Sequence, residues 1–473
     1  MNLYVIYPEI TVLVLALALI IIDLLLPSEE TRRPLGYITI LVLSILAISL
    51  FWQYHLTISA YFYQGLFYYD NYAIFFKQLF LLAVILTVLF SLQYIDTMKY
   101  SSEFYSMILF ALTGMMILAS ANDFLTFFIG LELMTISFYA LSGFGLTNKK
   151  SSEAAIKYLI IGSLSTAVTL YGISLIYGTA HSFDFAVVCK NPEFFSALGI
   201  AGMMMITAGI FFKMSIIPFH MWAPDTYEGA PVPVTGLLAM GSKAAAIAVF
   251  MRILFEAFFP AADYFMPVLA VFSAICMIGG NIAAMKQKNI KRMLAYSSIA
   301  QAGYMMVGIC AASPQGLKGV LFYAFLYVLA NTGAFAVVTV VALEKKGTDY
   351  EQFTALSQSA PVLAMVMSVS LLSMAGIPPT AGFAGKLYLF MAVVEHGYLW
   401  LAFVGFIMSM LSVYYYLKVV RVMYTGKSDG STITISGAVR AAVLISMTAT
   451  VVFGVWPQYL SMLTDFAAIT FLR

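Results

Sequence analysis

Residues 196–217 read SALGIAGMMMITAGIFFKMSII, and Pro218 follows at once. Lys213 is the only charge in this run, which at about 1.5 Å per helical residue is long enough to cross the roughly 30 Å hydrocarbon core of a bilayer. In lipid, such a run satisfies its backbone only as a helix, and the alternating ten-residue pattern of a membrane barrel is absent. The segment therefore reads as a membrane helix that breaks at Pro218, which has no amide hydrogen to give the carbonyl of Met214.

The same pattern recurs along the chain. Apolar runs bounded by charges, Gly or Pro fall near 5–26, 35–54, 72–94, 103–119, 123–145, 154–178, 196–217, 232–256, 266–285, 293–311, 318–343, 361–395, 398–420 and 437–457. The predicted fold class is all-α, a polytopic membrane protein of about fourteen transmembrane helices. Composition agrees. Of 473 residues 62% are hydrophobic and 10% charged, with 24 basic against 22 acidic side chains and a mean hydropathy of +0.94. A soluble domain carries about a quarter charged residues, so a water-soluble enzyme is excluded. The near-zero net charge offers no surface for nucleic acid. Cys189, Cys276 and Cys310 are scattered, which excludes a disulfide framework, a zinc site and an iron–sulfur cluster held by this chain alone. Neither a phosphate loop nor a dinucleotide fingerprint is present. No metal and no cofactor is expected in this chain, so any redox chemistry must lie in a partner. Glu9 and Asp23 bracket the first apolar run and no small-residue cleavage site follows it, so that run is read as a span and not as a signal peptide.

Positive charge gives the orientation. Loops after odd-numbered spans hold Arg32, Arg33, Lys99, Lys149, Lys150, Lys286, Lys288, Lys291, Arg292, Lys345, Lys346, Arg421 and Lys427, whereas loops after even-numbered spans hold almost only Lys190. Odd loops are then cytoplasmic and both termini face outward. One odd loop, 218–231, has no Lys or Arg and stands as the exception.

Four ionisable residues fall at mid-membrane depth: Glu132, Lys213, Lys243 and Lys386. Each costs about 2.5–3.5 kcal/mol on insertion scales unless it faces the protein interior. Fixed ion pairs between helices would account for some of them, but one carboxylate cannot neutralise three lysines. Lysines that are hydrated or deprotonated for part of the time are suited to carrying protons. Glu132 and Lys213 form the candidate pair. Asp23 and Glu256, near span ends, read as interfacial, and Asp123 as a span boundary. The aromatic stretches Tyr61–Tyr72 and Tyr414–Tyr416 read as interfacial belt and packing.

A second break stands at Pro378 and Pro379, which free the carbonyls of Met374 and Ala375 ahead of Lys386. Freed carbonyls at membrane depth need water or polar partners, so each break is expected to border a hydrated cavity. The five spans over about 103–256 and the five over about 266–420 each contain a broken helix and a lysine in the fourth span. An odd number of spans per unit makes them two inverted five-helix repeats, as in transporters. The predicted organisation is an N-terminal three-helix segment (1–100), a first repeat (101–260), a second repeat (261–425), each a proton half-channel, and a C-terminal helix (426–473).

The run Lys213-Met-Ser-Ile-Ile-Pro218-Phe219-His220-Met-Trp222-Ala-Pro224-Asp225-Thr-Tyr227-Glu228-Gly229-Ala230-Pro231-Val-Pro233-Val-Thr235 resembles the signature of the antiporter-like membrane subunits of respiratory complex I and of the multisubunit cation/proton antiporters. The Tyr-Glu-Gly-Ala-Pro continuation, Ser242-Lys243, and Ile377-Pro-Pro379-Thr-Ala-Gly382-Phe-Ala-Gly385-Lys386 most resemble the subunit N family of bacterial NADH:quinone oxidoreductase. The resemblance covers essentially the whole chain. It departs from subunit L in lacking a long C-terminal amphipathic extension, and from subunit M in carrying lysine in span twelve.

The resemblance implies that Glu132 in Gly130-Leu-Glu132 is the fifth-span glutamate, Lys213 its lysine partner, Lys243 the central relay lysine and Lys386 the terminal lysine facing the outer half-channel. His220 could pass a proton between Lys213 and Lys243, or be packed as a helix cap. Asp225 reads as a helix cap or loop anchor. The implied function is that of a proton-translocating, non-redox subunit of complex I in the bacterial inner membrane, coupled to quinone reduction elsewhere. Its implied partners are other antiporter-like and small membrane subunits and the lipid bilayer, with flavin and iron–sulfur clusters in partner subunits. The alternatives are a subunit of a multisubunit monovalent cation/proton antiporter, and a membrane scaffold whose charges are static pairs.

The orientation is directly testable. A reporter fused after Lys150 or Arg292 is expected in the cytoplasm, and one after Arg473 outside. A C-terminus found inside would put the span count wrong by an odd number.

Overall fold

The computed structural model describes residues 5–26, 34–54, 60–62, 65–98, 100–427 and 433–469; Arg32, Arg33, Lys99 and Arg473 lie outside them. Among these residues the helices are α1 (Tyr7–Leu25), α2 (Pro34–Tyr54), α3 (Asn71–Ile95), α4 (Ser101–Ser120), α5 (Phe124–Ser142), α6 (Lys149–Ala180), α7 (Phe185–Lys190), α8 (Ala197–Met214), α9 (Trp222–Gly229), α10 (Val232–Leu237), α11 (Lys243–Arg252), α12 (Ala262–Met285), α13 (Ile290–Cys310), α14 (Pro314–Lys345), α15 (Leu356–Ser359), α16 (Pro361–Ala375), α17 (Ala381–Glu395), α18 (Leu399–Tyr424), α19 (Gly437–Val455) and α20 (Gln458–Ala468). Thirteen helices are long and apolar enough to cross a membrane, with α10 and α11 counted as one span, Val232–Ala257, joined by a π-helical turn at Leu238–Ser242. The fourteenth expected span, 361–395, is the broken pair α16 and α17. The C-terminal segment expected to hold one helix holds two, α19 and α20.

One short hairpin departs from the all-helical pattern. Strands β1 (Ala60–Phe62) and β2 (Phe67–Tyr69) pair antiparallel, with Ala60 opposite Tyr69. Its continuation buries Tyr69 and Tyr72, so this end of the aromatic stretch packs inside the protein and is not an interfacial belt.

Helices approach closely where glycine allows it. A Cβ on Gly114 of α4 would stand 2.5 Å from the Met134 amide nitrogen of α5, and one on Gly280 of α12 would stand 2.7 Å from that of Ala300 on α13. Small residues of this kind let membrane helices pack backbone to backbone. The span 232–257 is enclosed by its neighbours, whereas most residues of α6 and α19 are not buried.

Buried ion pairs hold this bundle together, and the sequence reading missed them. Arg252, fully buried in the enclosed span, donates to Asp70 Oδ1 (3.0 Å) and Oδ2 (3.1 Å), to Glu256 Oε1 (2.9 Å) and to the Ala119 carbonyl (3.2 Å). The rings of Tyr68 and Tyr72 cover its guanidinium. Asp70 also caps α3, accepting from the Ala73 amide at 2.7 Å. One side chain thus ties the end of α11 to the start of α3 and the end of α4. Glu256, expected to be interfacial, is a partner in this cluster. A second pair, Lys77 to Glu9 at 2.7 Å, joins α3 to α1 and is likewise buried. Asp123 caps α5 through the Leu125 and Thr126 amides.

Removing Arg252 would leave two carboxylates without their cation. Arg252→Met is expected to cost about 3–5 kcal/mol of stability, read as a large fall in the thermal unfolding midpoint in detergent and in the amount of chain recovered from membranes. An unchanged midpoint would remove the cluster from the account of what holds α3, α4 and α11 together.

Candidate functional site

The two breaks have the same backbone plan. α8 ends at Met214, Ser215 is left-handed (φ 59°), and Pro218 follows three residues later; α16 ends at Ala375, Gly376 is left-handed (φ 83°), and Pro379 follows three residues later. Their side chains solve the backbone problem differently.

At the second break, the amides of residues 378 and 379 would bond to the carbonyls of Met374 and Ala375 in an unbroken helix, but both residues are prolines. Lys386 of α17 takes both acceptors. Its Nζ donates to Met374 O (2.9 Å), Ala375 O (3.1 Å) and Ser409 Oγ of α18 (2.8 Å), and sits 4.3 Å from the centre of the Tyr304 ring. None of these acceptors is a carboxylate. The ammonium's three protons find three neutral oxygens, with a π face beside them.

At the first break, Trp222 Nε1 donates to Phe212 O (2.8 Å), and the Ile217 amide donates to Cys276 Sγ (3.2 Å). Lys213 is buried, yet its Nζ has no hydrogen-bond acceptor; the rings of Phe212, Tyr139 and Tyr158 surround it at 5.2, 5.6 and 5.8 Å. The expected pair with Glu132 is not closed. Glu132 is half-buried on α5 and accepts from Thr166 Oγ1 of α6 at 2.8 Å, while Tyr139, two turns along the same helix, presents its ring to Lys213. His220 is half-buried, and its Nδ1 is enclosed without a partner.

Pro218, Phe219, Pro378 and Pro379 are exposed on the outside of the bundle. The cavity beside Phe219 is a groove of about 560 Å³ lined by apolar side chains such as Phe211, Phe265 and Phe272, not the hydrated one expected there. Beside the second break, Tyr323, Tyr327, Ser373 and Met374 line a space of about 10 Å³.

Lys243 lies between the breaks, immediately after the π turn, and donates to Ser298 O (2.7 Å) and Oγ (2.6 Å) of α13. The same helix carries further polar groups. Ser297 Oγ is hydrogen-bonded to the Tyr416 hydroxyl, and Gln301 donates to Tyr416 OH (3.3 Å) and Met374 O (3.1 Å) while accepting from Tyr323 OH. Sequence reasoning missed these residues. The signal was available: Ser297, Gln301 and Tyr304 recur at i, i+4 and i+7, which places one polar face on an otherwise apolar helix. Tyr415 and Tyr416, read as packing, are buried and hydrogen-bonded, Tyr415 to Asn281 Oδ1 at 2.9 Å.

A charged cluster covers one mouth of the bundle. Asp225 of α9 pairs with Lys157 (2.8 Å) and Arg292 (2.8 Å), and Glu228 with Lys150 (3.1 Å) and Arg292 (3.1 Å). Partial burial opposes ionisation of both carboxyls, but the hydrogen bonds from these cations outweigh it and hold Asp225 and Glu228 below the usual carboxylate range. Asp225 is thus a loop anchor. The odd loop that lacked Lys and Arg supplies the carboxylates for cations of the neighbouring segments. Lys291, counted with the loop charges, is buried and donates to Ala230 O at 2.7 Å. Among the described residues, no group of three or more His, Cys, Asp or Glu side chains could hold a metal ion.

Residues 121–412 match the family described as NADH:quinone oxidoreductase/Mrp antiporter, TM. The chain is 44% identical to NADH-quinone oxidoreductase subunit N of Heliobacterium modesticaldum, over 99% of each chain. It is 45% identical to the same subunit of Desulforamulus reducens, over 100% of this chain and 99% of that one. Its fold resembles a chain of respiratory complex I from Thermus thermophilus with bound aureothin, at TM-score 0.83 and 29% identity, covering 98% of this chain and 99% of that one. It also resembles a chain of the Mrp complex from Dietzia sp. DQ12-45-1b, at TM-score 0.89 and 20% identity, covering 99% and 98%; at that identity the likeness is one of fold.

Proposed function

The chain belongs to the NADH:quinone oxidoreductase/Mrp antiporter family of membrane subunits, among the subunit N relatives, and from that premise we propose that it carries protons across the membrane as a non-redox subunit of a proton-translocating NADH:quinone oxidoreductase. The observation that carries this reading is the solvation of Lys243 and Lys386 by neutral oxygens. A lysine fixed against a carboxylate stays charged. A lysine held by carbonyls and hydroxyls can lose its proton and leave no unpaired anion behind.

In the proposed cycle protons enter from the cytoplasmic side toward Lys213 or Lys243, pass along buried polar side chains at the midplane, and leave outward past Lys386. His220 serves as a relay at the first break. Glu132 acts on Lys213 electrostatically across the ring of Tyr139, and a change in its charge would shift the balance between the protonated and free amine. Because Glu132 is only half-buried at membrane depth, a neighbouring membrane subunit completes its surroundings, and the push that drives the cycle arrives there. Flavin and iron–sulfur chemistry belongs to partner subunits. The membrane is the bacterial inner membrane, with both termini on its outer side. The level of identity to the subunit N relatives favours this reading over a multisubunit cation/proton antiporter.

Two substitutions test it. Lys243→Arg keeps the charge but cannot release its proton, and Lys243→Met removes the charge. A carrier is impaired by both, so pumping in vesicles of the assembled complex is expected to collapse in each; near-normal pumping with Arg would make Lys243 a structural charge. Replacing Pro378 and Pro379 together by Ala supplies amides that compete with Lys386 for Met374 O and Ala375 O. Pumping is expected to fall while assembly is retained, and unchanged pumping would remove the break from the mechanism.

A further inference from the structure

We propose that Gln301 is a positioning residue that joins Lys243 to Lys386 and sets the direction of the hydrogen bonds between them, an inference that rests on the proton-carrier reading above. The connection runs by hydrogen bonds from Lys386 to Ser297 and by one peptide link from there to Ser298. Met374 O, freed by the second break, accepts from Lys386 Nζ (2.9 Å) and from Gln301 Nε2 (3.1 Å), so the ammonium and the amide share one acceptor. Gln301 Nε2 also donates to the Tyr416 hydroxyl (3.3 Å), and its Oε1 accepts from Tyr323 OH. The Tyr416 hydroxyl meets Ser297 Oγ. The next residue, Ser298, holds Lys243 through its carbonyl and hydroxyl. Gln301, Tyr416, Ser297 and Ser298 are each at most 1% exposed, so no bulk water substitutes for them.

The amide has one workable orientation. A carbonyl cannot donate, so the nitrogen of Gln301 must face Met374 O, and its oxygen then faces the Tyr323 hydroxyl. Since Tyr416 accepts from that nitrogen, its single proton is free to point at Ser297, toward Lys243. Gln301 carries no proton itself. When Lys386 gives up its proton it relaxes its claim on Met374 O, the amide binds that oxygen more strongly, and the polarisation of Tyr416 changes with it. The state of one lysine is thereby felt at the other across α13, α16 and α18.

The test uses the whole complex in vesicles, with assembly and quinol formation measured beside proton pumping. Gln301→Leu keeps most of the volume and removes the hydrogen bonds; pumping is expected to fall about tenfold. Gln301→Glu keeps the shape and adds a titratable group. Protonated, the new carboxyl can donate to Met374 O; ionised, it only accepts, and Tyr416 turns away from Ser297 toward it. The titratable groups around this position are Lys386, Tyr304, Tyr323, Tyr327, Tyr415 and Tyr416, with Lys243 and Tyr227 beside Ser298, and all are shared with the parent protein. Pumping by Gln301→Glu is therefore expected to fall as pH rises across a range where the parent's is flat, a dependence that a purely space-filling role would not produce. Pumping by Gln301→Leu within twofold of the parent, or a Gln301→Glu pH profile that superimposes on the parent's, overturns the assignment. If the Leu variant does not assemble, the Glu variant decides alone. Lys386→Ala serves as the reference: if it pumps normally the carrier reading itself fails, and if it does not pump while both Gln301 variants do, only the role of Gln301 falls.

Discussion

A backbone carbonyl without its amide and an ammonium without an anion are both expensive in hydrocarbon, and at the second break of this protein each is the remedy for the other. Two prolines remove the amides, the carbonyls of Met374 and Ala375 turn inward, and Lys386 donates to both. The break, the buried lysine and the close approach of α18 through Ser409 are one arrangement. Without the prolines the lysine would have a single hydroxyl acceptor. Without the lysine the two carbonyls would lose the ammonium that satisfies them.

The first break has the same turn and a different economy. Trp222 donates to the Phe212 carbonyl and Cys276 accepts from the Ile217 amide, while Lys213 is left among aromatic rings with no acceptor. Two lysines of one chain therefore stand in opposite settings. Lys386 is held by three neutral oxygens, whereas Lys213 Nζ meets ring faces and no hydrogen-bond acceptor. In the proposed cycle such inequality between stations gives the protons a direction, and Glu132 would act on the less solvated one.

Membrane spans were legible because long apolar runs have one backbone solution in lipid, and the breaks because proline names the carbonyls it frees. Met374 and Ala375 could be picked out from Pro378 and Pro379 alone; what takes those carbonyls could not, since Lys386 returns to them from another helix. Contacts between distant helices were the part that periodicity does not encode. Arg252 and Lys77 were overlooked because they stand near span ends, where charges are cheap, although the fold closes over them and supplies Asp70 and Glu9 from elsewhere in the chain. Glu132 and Lys213 could be picked out as a pair from residue type alone, but the Tyr139 ring that meets Lys213 and the Thr166 hydroxyl that Glu132 holds could not.

The span that carries Lys243 is fastened at both ends. At one end Arg252 is bolted to Asp70 and Glu256; at the other, Lys291 grips the carbonyl of Ala230, just before the span begins. Between these fastenings the helix contains one π turn, Leu238–Ser242, directly before Lys243; a second, Ile253–Ala257, follows Arg252. A rod clamped at its ends cannot slide, but it can twist, and π turns are where a helix is wound most loosely. In mechanical terms the span is a torsion element with its compliance beside the lysine. A rotation about the helix axis would carry Lys243 toward or away from Ser298 while the two ends stand still.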